Sequence, residues 1–318
     1  MTGRELLLAA CLDALVGDPR WLPHPVRGMG AVIVWCDAHV RGMCQSPVGL
    51  RLAGIGLAVG LPGAVYAAGY AAIDAASGLS LWCGTVVSIV LASTTLAGRD
   101  LWDHVRAVRD ALQQGNLPAA RQAVAMIVGR DTTQLSESGV VRAAVETVAE
   151  STADGVIAPL FYLAIGGAPL ALAYKAVNTL DSMVGHRDER HLDFGWASAR
   201  LDDIANWIPA RLTALLLVLS AGLMTGKTDR MIDGWRIFWR DGGNHPSPNS
   251  GRPEAAMAGV LGVQLGGLNY YDGMPHERPL IGEASRVLAV EDISLAMRIM
   301  VMACVLGVAM AGGMRWRV

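Results

Sequence analysis

Two charge-free stretches constrain the fold of this chain more than any other feature of its sequence. Residues 52–72 and 79–98 contain no Asp, Glu, Lys or Arg, and each has the length of about 20 residues that a helix needs to cross a bilayer. Few residues separate them, so they predict a helical hairpin over 47–98. Arg51 precedes the pair and Arg99 follows it, so the positive-inside rule predicts that both ends face the cytoplasm.

Three further apolar stretches are candidates for segments that lie in the membrane. Residues 212–226 and 299–314 are continuous, whereas 156–174 is interrupted by Gly-Gly-Ala-Pro at 166–169. A broken helix is tolerated at membrane depth where protein buries it or where it lines a cavity, so 156–174 predicts a kinked span or a re-entrant hairpin. The composition agrees, because only 17% of the residues are charged, against about 25% in soluble domains.

We therefore predict an all-α, polytopic integral membrane protein with a cytoplasmic helical portion and broken or re-entrant helices. The net charge of -2 argues against a nucleic-acid partner, which would require a basic face. The chain is predicted to form a single membrane-embedded domain, 1–318. Its parts are a helical hairpin at 47–98, cytoplasmic helices at 99–154, a broken-helix core at 155–226, a loop and small-residue helix at 227–295 and a C-terminal span at 296–318.

Near the N-terminus, residues 17–30 carry three prolines and three glycines, a composition that predicts a rigid loop. Asp18, His24 and Arg27 would lie on this loop, and a helix would begin after it at Ala31. His24 and His245 each precede a proline in a predicted loop, with no second His at ligand spacing, so a hydrogen-bonding or proton-transfer role is favoured over metal binding for both.

A stripe of charged residues follows the hairpin. Arg142, Glu146, Glu150 and Asp154 are four residues apart, so a helix places them on one face. Stacked carboxylates repel one another unless a cation or a base neutralises them. Either the three acids bind Mg²⁺, which prefers oxygen ligands, or they pair with Arg142 and other bases across a helix interface.

A second polar set follows the broken stretch at helical spacing. It consists of Lys175, Asn178 and Asp181, and then of Asp202, Asp203 and Asn206. The Asp-Asp-x-x-Asn pattern resembles an oxygen-rich clamp for a metal–diphosphate complex. The alternatives are an interfacial anchor for the lysine and a favourable dipole interaction for an acid near a helix N-terminus.

The turn at 129–132 is a candidate phosphate-binding site, because the Arg130 guanidinium can donate hydrogen bonds to two phosphate oxygens. Its alternative is a helix terminator with a surface ion pair.

Several long motifs carry a family resemblance. They are D-x-x-x-GDP-x-x-x-PHPVRGMG from Asp13, GRDT from Gly129, ETVAE-x-x-x-DGVIAPLFY from Glu146, GGAPLALAYKAVNTLDSMVGH from Gly166, ARLDDIANWIPARL from Ala199 and SPN-x-x-x-PEAAMAGVLGVQLGG from Ser247. With them, nearly the whole chain resembles the cobinamide-phosphate synthase family of cobalamin (vitamin B12) biosynthesis. It departs from the family at Ser151, where Asn is common.

The resemblance implies a multi-pass enzyme of the inner (cytoplasmic) membrane whose active site faces the cytoplasm. Such enzymes join the free propionate of adenosylcobyric acid to the amine of aminopropanol phosphate, or of a related amino alcohol, and are expected to consume ATP with Mg²⁺. The implied partners are these substrates, membrane lipid and other cobalamin-assembly enzymes.

Combined with this chemistry, the polar patterns give a hypothesis for the site. The catalytic candidates are Asp181, His24, Lys175 and Glu150. The candidates for binding phosphate groups and ATP are Arg130, Lys175, Asn178, Arg27 and Arg200. The candidates for Mg²⁺ are Glu146, Glu150 and Asp154, or Asp202 and Asp203.

Two other functions share parts of these patterns. A Mg²⁺-dependent prenyl-diphosphate transferase of the membrane would use an Asp-Asp-x-x-Asn motif, but a second carboxylate motif of that type is missing. A corrinoid or ion transporter would use broken helices with polar residues at mid-membrane, but the sequence shows no internal repeat.

Overall fold

The computed structural model describes residues 1–19, 21, 23–186, 190–271 and 273–315. These residues form helices and one two-stranded antiparallel sheet. The helices are α1 Gly3–Val16, α2 Pro25–Met43, α3 Pro47–Leu79, α4 Leu81–Ser93, α5 Gly98–Gln113, α6 Leu117–Ala125, α7 Glu137–Thr152, α8 Ala158–Val184, α9 Trp196–Ala205, α10 Trp207–Thr225, α11 Thr228–Asp241, α12 Gly251–Leu261 and α13 Val290–Arg315. The strands are β1 Gln264–Tyr271 and β2 Met274–Gly282, and a π-helical turn, Ala153–Ile157, joins α7 to α8.

The chain divides into two compact units. The first contains Met1–Ala97, Ala158–Asn206 and Val308–Val318, and the second contains Gly98–Ile157 and Trp207–Gly307.

Five helical segments are long and apolar enough to cross a membrane. They are Pro47–Leu79, Leu81–Gln113, Glu137–Val184, Trp207–Thr225 and Val290–Arg315. This confirms the prediction of an all-α polytopic membrane protein, to which the structure adds the small sheet. The predicted hairpin consists of α3 and α4, and Ser80 alone separates them.

In the first unit, α2 begins earlier than the sequence predicted. It starts at Pro25, so Arg27 lies in its first turn, whereas we had expected a loop up to residue 30. Proline is favourable at a helix start because its fixed φ suits the helix and its missing N–H would have no partner there. Ile33 of α2, Leu180 of α8 and the loop residue Phe194 then form a buried cluster, which fixes α2 against α8.

The predicted break in the apolar stretch 156–174 is confirmed. Gly167 within α8 has φ 71° and ψ −165°, a conformation that is essentially restricted to glycine. Pro169 follows it and lacks the N–H that a continuous helix would use. The α8 segment is therefore kinked within the first unit, and its C-terminal part carries Lys175, Asn178 and Asp181.

In the second unit, the small-residue helix, which the Ala- and Gly-rich sequence predicts over 254–268, is shorter than predicted. It ends at Leu261, where Gly262 adopts a left-handed conformation with φ 68°. The chain then enters β1, which pairs with β2 from Gln264↔Gly282 to Tyr271↔Met274. This β-hairpin was not predicted, because the glycines at its start suggested close helix packing and not a strand with a bulge.

Candidate functional site

The second unit contains a buried ion pair built on α7. Arg130 Nη2 donates to Glu146 Oε2 at 2.6 Å, and both side chains are almost completely buried. Arg130 Nη1 also donates to Asn269 Oδ1 of β1 at 2.5 Å. Glu146 Oε1 accepts the backbone N–H of Gly266 at 2.9 Å. Both oxygens of Glu146 are therefore engaged by protein donors.

Arg142 and Asp131 fasten the β-hairpin to the same region. Arg142 donates to the carbonyl of Gly266, to the carbonyl of Leu268 at 2.7 Å and to Asn269 Oδ1 at 2.9 Å. The Asp131 N–H donates to the carbonyl of Tyr270 at 2.9 Å. The turn predicted to bind phosphate thus contacts the hairpin through its Arg and its Asp.

Glu254 of α12 is buried against this charged group. It is 2% exposed, and its Oε1 has no hydrogen-bond partner among the described residues. Burial and the neighbouring carboxylates of Glu146 and Glu150 raise the pKa of Glu254 well above its usual value, although Arg278 of β2 opposes this shift. Glu254 is therefore a candidate for a carboxyl group that is neutral at pH 7.

His245 approaches the same carboxylates from the loop before α12. Its Nδ1 accepts the N–H of Ser247 at 3.0 Å, which assigns the proton of the neutral ring to Nε2. The buried Nε2 has no partner among the described residues. Burial lowers the pKa of His245, and Glu150 opposes the shift, so the ring is neutral at pH 7.

We refer to Arg130, Arg142, Glu146, Glu150, His245, Glu254, Asn269 and Arg278 as the buried charge cluster. It holds three acids and three arginines, all within the second unit.

A cavity of about 770 Å³ lies in the second unit. Arg142 and Asp131 line it together with Ser136 and Ser138 at the start of α7, and Leu268 and Tyr270 contribute from β1. Its volume lies within the range of about 300–1,000 Å³ that is typical of small-molecule sites. Of the predicted phosphate-binding turn, Asp131 reaches this cavity, whereas Arg130 is directed to Glu146.

The predicted acidic stripe is only partly continuous. Glu146 and Glu150 both lie in α7 and both act electrostatically on Glu254, whereas Asp154 lies beyond the helix in the π-helical turn. Among the described residues, no group of three or more His, Cys, Asp or Glu side chains is arranged to hold a metal ion. The magnesium role of the stripe stays a prediction.

The first unit brings the second predicted polar set together. The Nδ2 of Asn206 lies 3.0 Å from both carboxylate oxygens of Asp202, and Asn178 of α8 also donates to Asp202. The hydroxyl of Tyr174 donates to Asn206 Oδ1 at 2.8 Å. Burial and the nearby carboxylate of Asp181 raise the pKa of Asp202 to about 7.

The remaining candidates occupy different places in the first unit. Lys175 lies in α8 one turn before Asn178 and is half-buried. The Arg200 guanidinium is 3.7 Å from a carboxylate oxygen of Asp203. His24 Nε2 is 3.0 Å from Asp18 Oδ1, an arrangement that can orient an imidazole for proton transfer. Arg27 is exposed.

Three members of the buried charge cluster were missed by the sequence analysis. Glu254 did carry a signal, since it is a lone acid in an apolar small-residue helix, where burial is costly unless the group is paired or neutral. Asn269 and Arg278 carried none, because their positions depend on a β-hairpin that was not predicted.

Comparison with known proteins identifies relatives of the chain. Residues 6–300 match the family model described as CobD/Cbib protein. The chain is similar to the cobalamin biosynthesis protein CobD of Geobacter metallireducens, with 54% identity over 90% of this chain and 88% of that protein. It is also similar to the cobalamin biosynthesis protein CobD of Klebsiella pneumoniae, with 46% identity over 98% of both chains. The cobalamin biosynthesis protein CbiB of Salmonella typhimurium is 45% identical over 98% of this chain and 96% of that protein. No solved structure matches the chain.

Proposed function

Because the chain belongs to the CobD/CbiB family of cobalamin biosynthesis, we propose that it synthesises adenosylcobinamide phosphate. The substrates are adenosylcobyric acid, whose free propionate is the acid, and aminopropanol phosphate or a related amino alcohol, which supplies the amine. The observation that carries this proposal is the match to the family over residues 6–300. It favours amide synthesis over the prenyl transferase and the transporter.

The reaction requires activation of the carboxylate, because an oxide ion is a poor leaving group. Transfer of a phosphoryl or adenylyl group from ATP to a propionate oxygen forms a mixed anhydride and releases ADP or diphosphate. The amine nitrogen then attacks the acyl carbon, loses a proton to a base and expels phosphate or AMP. The enzyme accelerates these steps by positioning the reactants and by stabilising the charge that develops on them.

We propose that Asp181 and Asp202 bind Mg²⁺ in the first unit. Magnesium is commonly held by one or two carboxylates together with substrate phosphates. Asp202 and Asp181 are close enough to raise the pKa of Asp202, so a cation would relieve their repulsion, and Asp203 is adjacent in sequence. Glu146 fits the role poorly because its buried carboxylate is already neutralised by Arg130. The ion would neutralise phosphate charge during activation of the carboxylate.

Phosphate binding and proton transfer are assigned to other charged residues. Lys175 and Asn178 precede Asp181 on α8, so their side chains project from the same face of the helix. We propose that Lys175, supported by Arg200 and Arg27, binds phosphate groups of ATP. The base that accepts the amine proton has two separate candidates, which are His24 of the first unit, oriented by Asp18, and Glu150 of the second unit.

The protein is proposed to reside in the cytoplasmic membrane with its site open to the cytoplasm, because ATP is supplied there. Arginines on both sides of the α3–α4 hairpin support this orientation. Cysteine-accessibility labelling of the loop at 242–250, performed from each side of the membrane, tests it.

The reaction is tested by incubating membranes that contain the protein with adenosylcobyric acid, aminopropanol phosphate, ATP and Mg²⁺. Mass spectrometry should detect a corrinoid that has gained the amino alcohol phosphate with loss of water. Omission of ATP, and separately of Mg²⁺, should abolish the product. If the corrinoid mass is unchanged in the complete mixture, the proposed reaction is wrong.

A further inference from the structure

Apart from the Nε atoms of Arg130 and Arg142, three buried polar atoms of the buried charge cluster lack a hydrogen-bond partner in the described part of the chain. They are Glu254 Oε1, His245 Nε2 and Asn269 Nδ2. Glu254 and Asn269 are 2% and 0% exposed. Leaving a buried donor or acceptor unpaired is unfavourable, so such atoms in a native fold call for an explanation.

These atoms have complementary hydrogen-bonding character. His245 Nε2 is a donor, because Nδ1 accepts the N–H of Ser247, and the amide nitrogen of Asn269 is also a donor, since its Oδ1 accepts from two arginines. Glu254 Oε1 can accept. A ligand bound by all three must therefore present both acceptors and a donor.

The charged residues Arg278 and Glu150 also favour a ligand that carries both acceptors and a donor. Arg278 interacts electrostatically with Glu254 and Glu150, and its Nη2 donates to the hydroxyl of Tyr271 at 2.9 Å. Glu150 acts on His245 and on Glu254, although it is not fully buried. The cluster thus offers a guanidinium for an anion and a carboxylate for a cation.

We propose that the buried charge cluster binds the amino alcohol phosphate, a small zwitterion that carries an ammonium and a phosphate group. Arg278, His245 Nε2 and Asn269 Nδ2 donate to the phosphate oxygens, while Glu150 and Glu254 Oε1 accept from the ammonium. This assignment rests on the proposed function, since it takes its ligand from that reaction. It adds a location in the second unit and a specificity for ligands that carry both charges.

Charge balance supports the same ligand. The cluster contains three arginines, and burial together with the neighbouring carboxylates raises the pKa of one of its three acids, Glu254, which favours an excess of positive charge. An amino alcohol phosphate carries an ammonium and a phosphate with a charge near −2 at pH 7, and hence about one net negative charge.

The binding test is calorimetric titration of the full-length protein, purified in detergent, with aminopropanol phosphate. Aminopropanol and glycerol phosphate, which each lack one of the charged groups, serve as matched probes. We expect each of them to bind at least about 10-fold more weakly, because a charge-assisted hydrogen bond is worth about a factor of 10 or more. Equal affinity for glycerol phosphate and aminopropanol phosphate would overturn the proposal without the need for any variant.

Variants locate the site. Arg278→Lys and Glu254→Leu, which removes the acceptor oxygen, should each weaken binding of aminopropanol phosphate by about 10- to 100-fold. Arg236→Lys is the control, because Arg236 is exposed and pairs with Glu283. Unchanged affinity in both cluster variants would overturn the assignment.

The product assay separates this inference from the proposed function. If the wild-type protein forms the amide and both cluster variants retain the wild-type KM for the amine, the location is wrong and the reaction stands. If the wild-type protein binds the zwitterion with the expected specificity and forms no amide, the reaction is wrong and the binding site stands.

Discussion

Replacement of Glu146 by Gln tests whether the acidic stripe is structural or binds metal. The substitution keeps the shape of the side chain and removes its charge. The side-chain oxygen of the Gln can still accept the N–H of Gly266. The amide nitrogen of the Gln then faces Arg130 Nη2, which lies 2.6 Å from the carboxylate in the native protein. Two donors would oppose each other, and the buried Arg130 would lose its counter-charge.

The magnitude follows from the burial of this pair. Removal of one partner of a buried ion pair costs about 3–5 kcal/mol. Arg130 keeps its hydrogen bond to Asn269, which offsets part of this loss. We therefore expect Glu146→Gln to lower the free energy of unfolding by about 3 kcal/mol, the lower end of that range.

The assay is unfolding of the purified protein by SDS in mixed micelles, followed by circular dichroism. A double-mutant cycle with Arg130→Met isolates the pair, and the double variant should lose less stability than the sum of the single variants. Glu137→Gln is the matched control, because Glu137 lies exposed in the first turn of the same helix. It should cost no more than about 1 kcal/mol.

One result would refute this reasoning. If Glu146→Gln is as stable as Glu137→Gln and instead raises the Mg²⁺ concentration needed for product formation, Glu146 is a metal ligand, as the spacing of the stripe allowed.

Three further outcomes are expected. Gly167→Ala should lower the free energy of unfolding by about 1–3 kcal/mol, because the backbone conformation at residue 167 strains any side chain. Gly63→Ala in α3 is the control and should not lower it, because no atom lies near the added methyl group. Lys175→Ala and Glu150→Gln should each abolish product formation while the protein stays in the membrane fraction on immunoblots. The hydrogen bond from Arg240 lowers the pKa of Asp241, so the ionised form of Asp241 stabilises the fold above pH 4. Asp241→Asn should therefore be less stable than the wild-type protein at pH 7. In denaturant titrations, the difference in the free energy of unfolding between the two proteins should shrink as the pH falls below 4.

The membrane helices could be predicted because hydrophobicity is a local property. The α3–α4 hairpin followed from two charge-free runs, and the break in α8 followed from the glycines and proline at 166–169. The start of α2 was misplaced for a local reason as well, because Pro25 was read as a breaker although it lies where a helix accepts proline.

For the polar sites, the sequence predicted only which side chains share a face of one helix. Spacing grouped Glu146 with Glu150, and Asn178 with Asp181. It could not show that Asp202 lies beside α8, which depends on tertiary packing. Arg278 was beyond prediction, because it interacts electrostatically with Glu254 only when β1 and β2 pair.

The attachment of the β-hairpin is made largely to its main chain. Arg142 binds the carbonyls of Gly266 and Leu268, and Asp131 binds the carbonyl of Tyr270. Such bonds do not depend on which side chains these positions carry, with the exception of the buried Asn269. Relatives can therefore exchange the outward side chains of Leu268 and Tyr270, and with them the walls of the cavity, without loosening the hairpin. The attachment of the hairpin, which depends on main-chain bonds and on Asn269, is thus separate from the cavity walls at Leu268 and Tyr270, which are free to change.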